Sequence, residues 1–273
     1  MAEADLVRAT PDPRTRGSLA ADLRALGLPV GAVVLVHSSL SALGWVSGGA
    51  VAAAQALLDA IGPAGTLVVP THSGDLSDPA GWEHPPIPQT WWEIVRATMP
   101  AFDPALTPTR GMGAIADVVR RWPDALRSSH PQVSFTAVGP QAPTVVAGHS
   151  LEFGLGERSP LARLYDLDAF VLLLGVDHAS NTSLHLSEHR AGIRPETCEG
   201  GPVLVDGVRR WLRWSEIDMD ASVFAELGQD LDETRAVKIG TVSAGRARLV
   251  RQRAAVDFGV GWLRPRCGQP PPA

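Results

Sequence analysis

The unbroken apolar run Phe170-Val171-Leu172-Leu173-Leu174, stopped by Gly175, constrains the fold more than any other stretch. A run so short and so apolar predicts a strand buried on both faces, as in the middle of an α/β sheet. Polar residues follow, and Asn181, Thr182 or Ser183 is placed to cap a helix carrying His185, Glu188 and His189. Spacings of three and four put 185 on one helix face with 188 and 189. Open α/β folds hold their chemistry at the carboxyl ends of buried strands. His185 is therefore the expected reactive residue, since imidazole titrates where proton transfer near neutrality needs it. The same letters, His185-Leu186-Ser187-Glu188-His189, also fit H-x-x-E-H, a zinc-hydrolase pattern. Its third ligand would come from Glu216 or Asp218. The plainer alternative is that His189 and Arg190 solvate an exposed helix face.

The flanking sequence repeats the α/β pattern. Ser18–Leu26 reads as a short amphipathic helix ended by Gly27, and Ala32–Val36 as a buried strand delivering His37-Ser38-Ser39. An alanine-rich helix over 50–61, stopped by Gly62-Pro63, leads to a strand over 66–69. That is one β-α-β unit of the length a crossover needs. Residues 71–110 break the pattern with Pro85, Pro86, Pro88, Trp82, Trp91 and Trp92, and read as a lid with one helix near 90–99. Helices are expected over 111–122, 142–147, 161–164 and 224–231, a strand over 133–138, and a strand and a turn over 238–242 and 244–249. A hairpin over 203–214 turns at Asp206-Gly207. Segment 250–262 is left as helix or strand. The expected class is α/β, a single domain with a central mixed sheet flanked by helices. The domain spans 17–265, with a loose arm over 1–16 and a disordered tail over 266–273.

Composition narrows the function classes. A net charge of -5 excludes a general nucleic-acid binder, and two cysteines, Cys198 and Cys267, fit a reducing compartment rather than a disulfide framework. With no leader pattern and no apolar run of about 18 residues, the expectation is a cytoplasmic protein, monomer or homodimer.

Three loops look suited to an anionic ligand. His37-Ser38-Ser39 leads from a strand to a helix, Thr107 to Gly113 opens a helix with Arg110, Gly111, Met112 and Gly113, and Arg127 lies near His130. Neither nucleotide-binding glycine fingerprint is present. Acidic and aromatic residues of the lid, Asp75, Trp82, Glu83 and Asp103, suit a cationic, amine-bearing ligand. Glu216 or Asp218 is a candidate to fix the His185 tautomer.

In order and spacing these motifs resemble the aminoglycoside 3-N-acetyltransferases. The resemblance is carried by Val36-His37-Ser38-Ser39-Leu40, Gly65 to Ser73, Phe102-Asp103-Pro104, Thr107 to Gly113, Arg127 to Pro131, Ser159 to Arg163, Leu172 to Val176 and Asn181 to Glu188. It implies an antibiotic N-acetyltransferase-like fold, acetyl-CoA as donor, no metal, and the 3-amine of an aminoglycoside as acceptor. It further implies His185 as catalytic base with Glu216 as partner, and walls of the CoA site at His37, Ser38, Ser39, Thr107, Arg110 to Gly113, Arg127 and His130. Asp75, Trp82, Glu83, Asp103, Glu188 and Asp218 are the expected acceptor contacts. Asp177-His178-Ala179 stands where many members read Gly-His-Asp, which leaves another amine as the alternative acceptor.

Overall fold

A computed structural model describes residues 3–264 of the chain, so the tail expected over 266–273 lies outside the described residues. Ten helices and nine strands are described. The helices are α1 Glu3–Ala9, α2 Arg16–Leu26, α3 Gly49–Ile61, α4 Trp92–Thr98, α5 Gly113–Arg120, α6 Ala142–Val146, α7 Pro160–Asp166, α8 Ser183–Ala191, α9 Phe224–Asp232 and α10 Gln252–Leu263. The strands are β1 Val33–Ser38, β2 Thr66–Pro70, β3 Leu126–Arg127, β4 Phe135–Val138, β5 Phe170–Leu174, β6 Glu196–Val205, β7 Val208–Ile217, β8 Val237–Val242 and β9 Gly245–Arg251.

Seven strands form one mixed sheet in the order β3-β4-β2-β1-β5-β9-β8. Its centre, β2-β1-β5, is parallel, and antiparallel strands extend it on both sides. The parallel centre needs cover on both faces, and the side-chain alternation supplies it. Val34, Val36, Leu67, Val69, Leu172 and Leu174 pack with α2, α3 and α5. Leu35 and Val68 face the other way, with α7, α8 and α10, as do Val171 and Leu173 toward α10. The apolar run is thus central, as its composition requires, and each such buried side chain contributes about 1.5–3 kcal/mol. By the same alternation His37 shares the Leu35 face, toward α8.

Two sequence expectations are corrected. The arm over 1–16 contains α1, Arg14 pairs with Val46, and Thr15 caps α2 through a reciprocal box with Ser18. The hairpin is longer than 203–214: β6 and β7 pair from Glu196 opposite Ile217 to Val205 opposite Val208. Gly200 and Gly201 interrupt the alternation that would have marked its outer half. Gly201 is required because the lid backbone lies against it, and a Cβ there would fall 2.4 Å from Leu76 O. Segment 250–262 resolves as the end of β9 followed by α10. The lid itself rests on this hairpin, Arg209 donating Nε–H to Met99 O at 2.7 Å.

Candidate active site

Four imidazoles gather at the carboxyl ends of the parallel strands. His37 lies on β1, His72 follows β2, His178 lies in the turn after β5, and His185 is on the first turn of α8. Burial, with His178 nearby, pushes His37 down to about 3. Burial also pushes His72 down to about 3, with neighbouring His185 and His37 adding to the effect. Both are therefore neutral near pH 7. His178 is lowered too, first by burial. It accepts from Asn181 Nδ2 and donates Nε2–H to Asp232 Oδ1, each at 3.2 Å. Asn181 Oδ1 in turn accepts Ser183 N–H, so the polar turn is tied to the start of α8.

His185 differs from the other three in being held by a carboxylate and still open to solvent. Its Nδ1 lies 2.6 Å from Glu188 Oε2, one helical turn on, and its ring packs at 4.8 Å on Phe224. The imidazole is 17% exposed, and Glu188 is fully buried. The other oxygen, Glu188 Oε1, accepts Arg194 Nε–H at 2.7 Å and Asp220 N–H at 3.1 Å. Every visible partner of the carboxylate is a donor, so His185 Nδ1 carries its proton and Nε2 is left with a lone pair.

Two sequence assignments are corrected here. Glu216 does not hydrogen-bond His185. Its Oε2 accepts Gly154 N–H at 2.7 Å, its Oε1 accepts Ile217 N–H at 2.9 Å, and it lies 3.5 Å from His189 Nε2. Glu188 is no acceptor contact, because burial, His185 and Arg194 occupy it completely. The i,i+3 spacing already contained this pairing. Family analogy pointed past it to the distant Glu216.

The loops expected around the donor divide into two groups. Ser38 and Gly113 meet: a Cβ on Gly113 would come 3.4 Å from Ser38 O, and Gly111 and Gly113 adopt φ of 71° and 83°. No side chain caps α5, so the N–H groups of its first turn stay available beside Ser38 and Ser39. Met112 packs toward the core. Arg127 and His130, by contrast, are structural. Arg127 donates to Thr107 O, Thr71 O, Pro104 O and Ser134 Oγ, which spends its fork on the lid base. His130 is buried, accepting Gln132 and Val133 N–H at Nδ1 and facing Leu151 O through Nε2. Thr107 serves the same clamp, its hydroxyl accepting Asp103 N–H.

Between the lid and the hairpin lies a cavity of about 690 Å³ lined by His72, Asp78, Arg96, Gln132, Glu199, Arg213 and Glu216 among others. A second, of about 430 Å³, is lined by Asp75, Trp82, Glu83, His84 and Arg110 and shares Gly74 with the first. Arg110 is ion-paired to Asp75, so an expected donor contact and an expected acceptor contact neutralise each other. Asp103 caps its own turn through Ala105 and Leu106 N–H, and the Asp218 side chain is exposed and lines neither cavity. Sequence reading missed Arg96 as cavity wall, because its 2.6 Å pair with Asp78 joins residues 18 apart in the lid.

The family model described as aminoglycoside 3-N-acetyltransferase matches residues 35–264. The chain belongs to this family. It is 45% identical over 94% of its length to the SPbeta prophage-derived aminoglycoside N(3')-acetyltransferase-like protein YokD of Bacillus subtilis, covering 95% of that protein. The crystal structure of YokD superposes with a TM-score of 0.94, covering 95% of this chain and 97% of the other. AAC-IIIb in binary complex with CoASH matches at 33% identity and TM-score 0.83, covering 96% and 100%. AAC-VIa bound to sisomicin matches at 31% and 0.85, covering 94% and 100%. The mixed α/β fold and the acetyltransferase class are those of the aminoglycoside 3-N-acetyltransferases.

For this acetyltransferase the H-x-x-E-H reading finds no support in geometry: His185 faces Glu188, and His189 faces Glu216 across 3.5 Å. Among the described residues no three His, Cys, Asp or Glu side chains are grouped to hold a metal ion. Among them, too, no helix is long and apolar enough to cross a membrane.

The buried histidines give the aminoglycoside 3-N-acetyltransferase a defined acid limit. Burial lowers His130 to about 3, and His149 and His189 to about 4, from 6.5. Below pH 6.5 the unfolded chain takes up protons that the native chain refuses, so stability is full above that value and falls toward pH 4. The urea midpoint is expected to be flat above pH 7 and to drop steadily between pH 6.5 and 4. A midpoint that does not move over that range contradicts the burial of neutral imidazoles.

Proposed function

We propose that the protein transfers the acetyl group of acetyl-CoA directly to the 3-amine of an aminoglycoside, with His185 as general base, and so confers resistance. The observation that carries this reading is the buried Glu188 holding His185 Nδ1, which leaves Nε2 to take a proton. The deprotonated nitrogen attacks the thioester carbon, the C–N bond forms, and the C–S bond breaks. His185 returns its proton to the departing thiolate. Backbone N–H groups at the start of α5, beside Ser38, are the donors suited to the oxyanion. Recognition of a polycationic acceptor is supported by the cavity carboxylates that no arginine among the described residues neutralises, Glu199, Glu216 and Glu83. Glu216 keeps a place in the reaction as cavity wall rather than as the residue orienting His185. The bound CoASH of AAC-IIIb and the sisomicin of AAC-VIa favour the same pair of substrates.

Thiol release from acetyl-CoA against aminoglycosides with and without a 3-amino group tests the reaction. Release that requires the 3-amine is expected. Release with simple amines but with no aminoglycoside would move the acceptor to a different class. Asp177, whose Oδ1 accepts Ala179 N–H, and Ala179 itself are the local departures that would accompany such a shift.

A further inference from the structure

An amine enters at neutral pH mostly as an ammonium and leaves as an amide, so its nitrogen loses two protons per turnover. As the C–N bond forms and the C–S bond breaks, one proton passes through His185 to the CoA sulfur. The other must reach water from a site walled by lid and hairpin. We propose that Glu216 and His189 carry this second proton, Glu216 taking it from the bound ammonium and His189 passing it to a separate solvent groove. The proposal rests on His185 as base.

The two side chains connect two openings. Glu216 lines the acceptor cavity, His189 lines a groove of about 410 Å³, and 3.5 Å separates Oε1 from Nε2. The His189 side chain is 9% exposed and that of Glu216 4%, so the pair forms the partition between the openings. His189 Nε2 is buried with no hydrogen-bond partner, a spare position facing only the carboxylate. One loop positions both groups: Gly154 N–H holds Glu216 Oε2, and the Phe153 ring meets the His189 ring edge-on at 6.0 Å. Phe153 sits at φ 51°, a conformation rare for an aromatic residue and frequent at working sites. Glu152, Glu157 and Glu196 line the groove with Arg158 and Arg194, and so give it acceptors for a departing proton. Burial pushes Glu216 up and His189 down to about 4, with His185 lowering His189 further and Glu188 and Glu157 opposing. The link between the openings is thus the 3.5 Å approach of Oε1 to Nε2. His189 acts through Glu216 and is a positioning and relay residue, not a catalytic one.

The test is His189→Ala assayed with and without imidazole in the buffer. Expected is a loss of about tenfold in kcat, an unchanged KM for acetyl-CoA, and recovery of turnover as imidazole enters from the groove. His189→Gln, which keeps the shape and cannot relay, is expected to show the same loss, no recovery, and a larger solvent isotope effect on kcat. Full kcat in either folded variant, or an alanine variant whose loss imidazole does not restore, overturns the relay. If the alanine variant does not fold, the glutamine variant decides. His185→Ala separates the two readings: full activity there refutes the base, whatever His189 does.

Discussion

His185→Ala is expected to lower kcat by about 10³-fold, within the roughly 10²–10⁴-fold that a positioned general base supplies. CoA binding should survive. The segments proposed to hold the donor lie on the β1 and α5 ends, and the imidazole adds no fold-holding bond beyond its contact with Glu188. Stopped-flow acetyl transfer together with CoA titration by calorimetry separates the two effects. Turnover near the parent value would remove His185 from the chemistry. Loss of CoA binding in step with kcat would make the residue structural.

Glu188→Gln is expected to cost nearly as much, approaching about 10³-fold in kcat, although only one atom changes. Arg194 and Asp220 N–H both donate to Oε1. The amide oxygen must take that position, which turns the amide NH₂ toward His185 Nδ1. The ring then accepts at Nδ1 and carries its proton on Nε2, the wrong tautomer for a base. Glu188→Ala makes a useful contrast. It leaves an empty buried site beside His185 and an Arg194 that keeps only Asp220, so a thermal melt should fall for alanine and much less for glutamine. Parent kcat in the glutamine variant would show that the tautomer is set elsewhere.

The sheet was legible because its code is local. Phe170 to Leu174, Val33 to Val36 and Leu67 to Val69 are apolar enough to be buried on both faces, and Gly27, Gly62 and Gly175 mark where elements stop. Edges defined by distant partners were not legible. The outer hairpin carries Glu196, Thr197 and Cys198 with two glycines, and its pairing with 212–217 follows from the lid lying across it. The site divides along the same line. Strand and helix spacing put His185 on α8 at the carboxyl ends of the parallel strands, and the Glu188 contact was implicit in i,i+3 geometry. Arg127 and His130 look like phosphate ligands as letters. Only the fold shows that Thr71, Thr107 and Leu151 carbonyls already face their donors. Glu216 is the instructive case, a carboxylate of the right kind in the right region that is bonded by Gly154 and Ile217 N–H and lies 3.5 Å from His189 rather than against His185.

The central claim is that His185 and Glu188 work as one unit, and a double-mutant cycle on kcat measures that directly. His185→Ala, Glu188→Gln and the double variant would be assayed by thiol release with a 3-amino aminoglycoside. If Glu188 acts only by setting the His185 tautomer, the double variant loses no more than His185→Ala alone, because the unit is already gone. If the two losses multiply, each residue acts on its own, and the dyad is not the base.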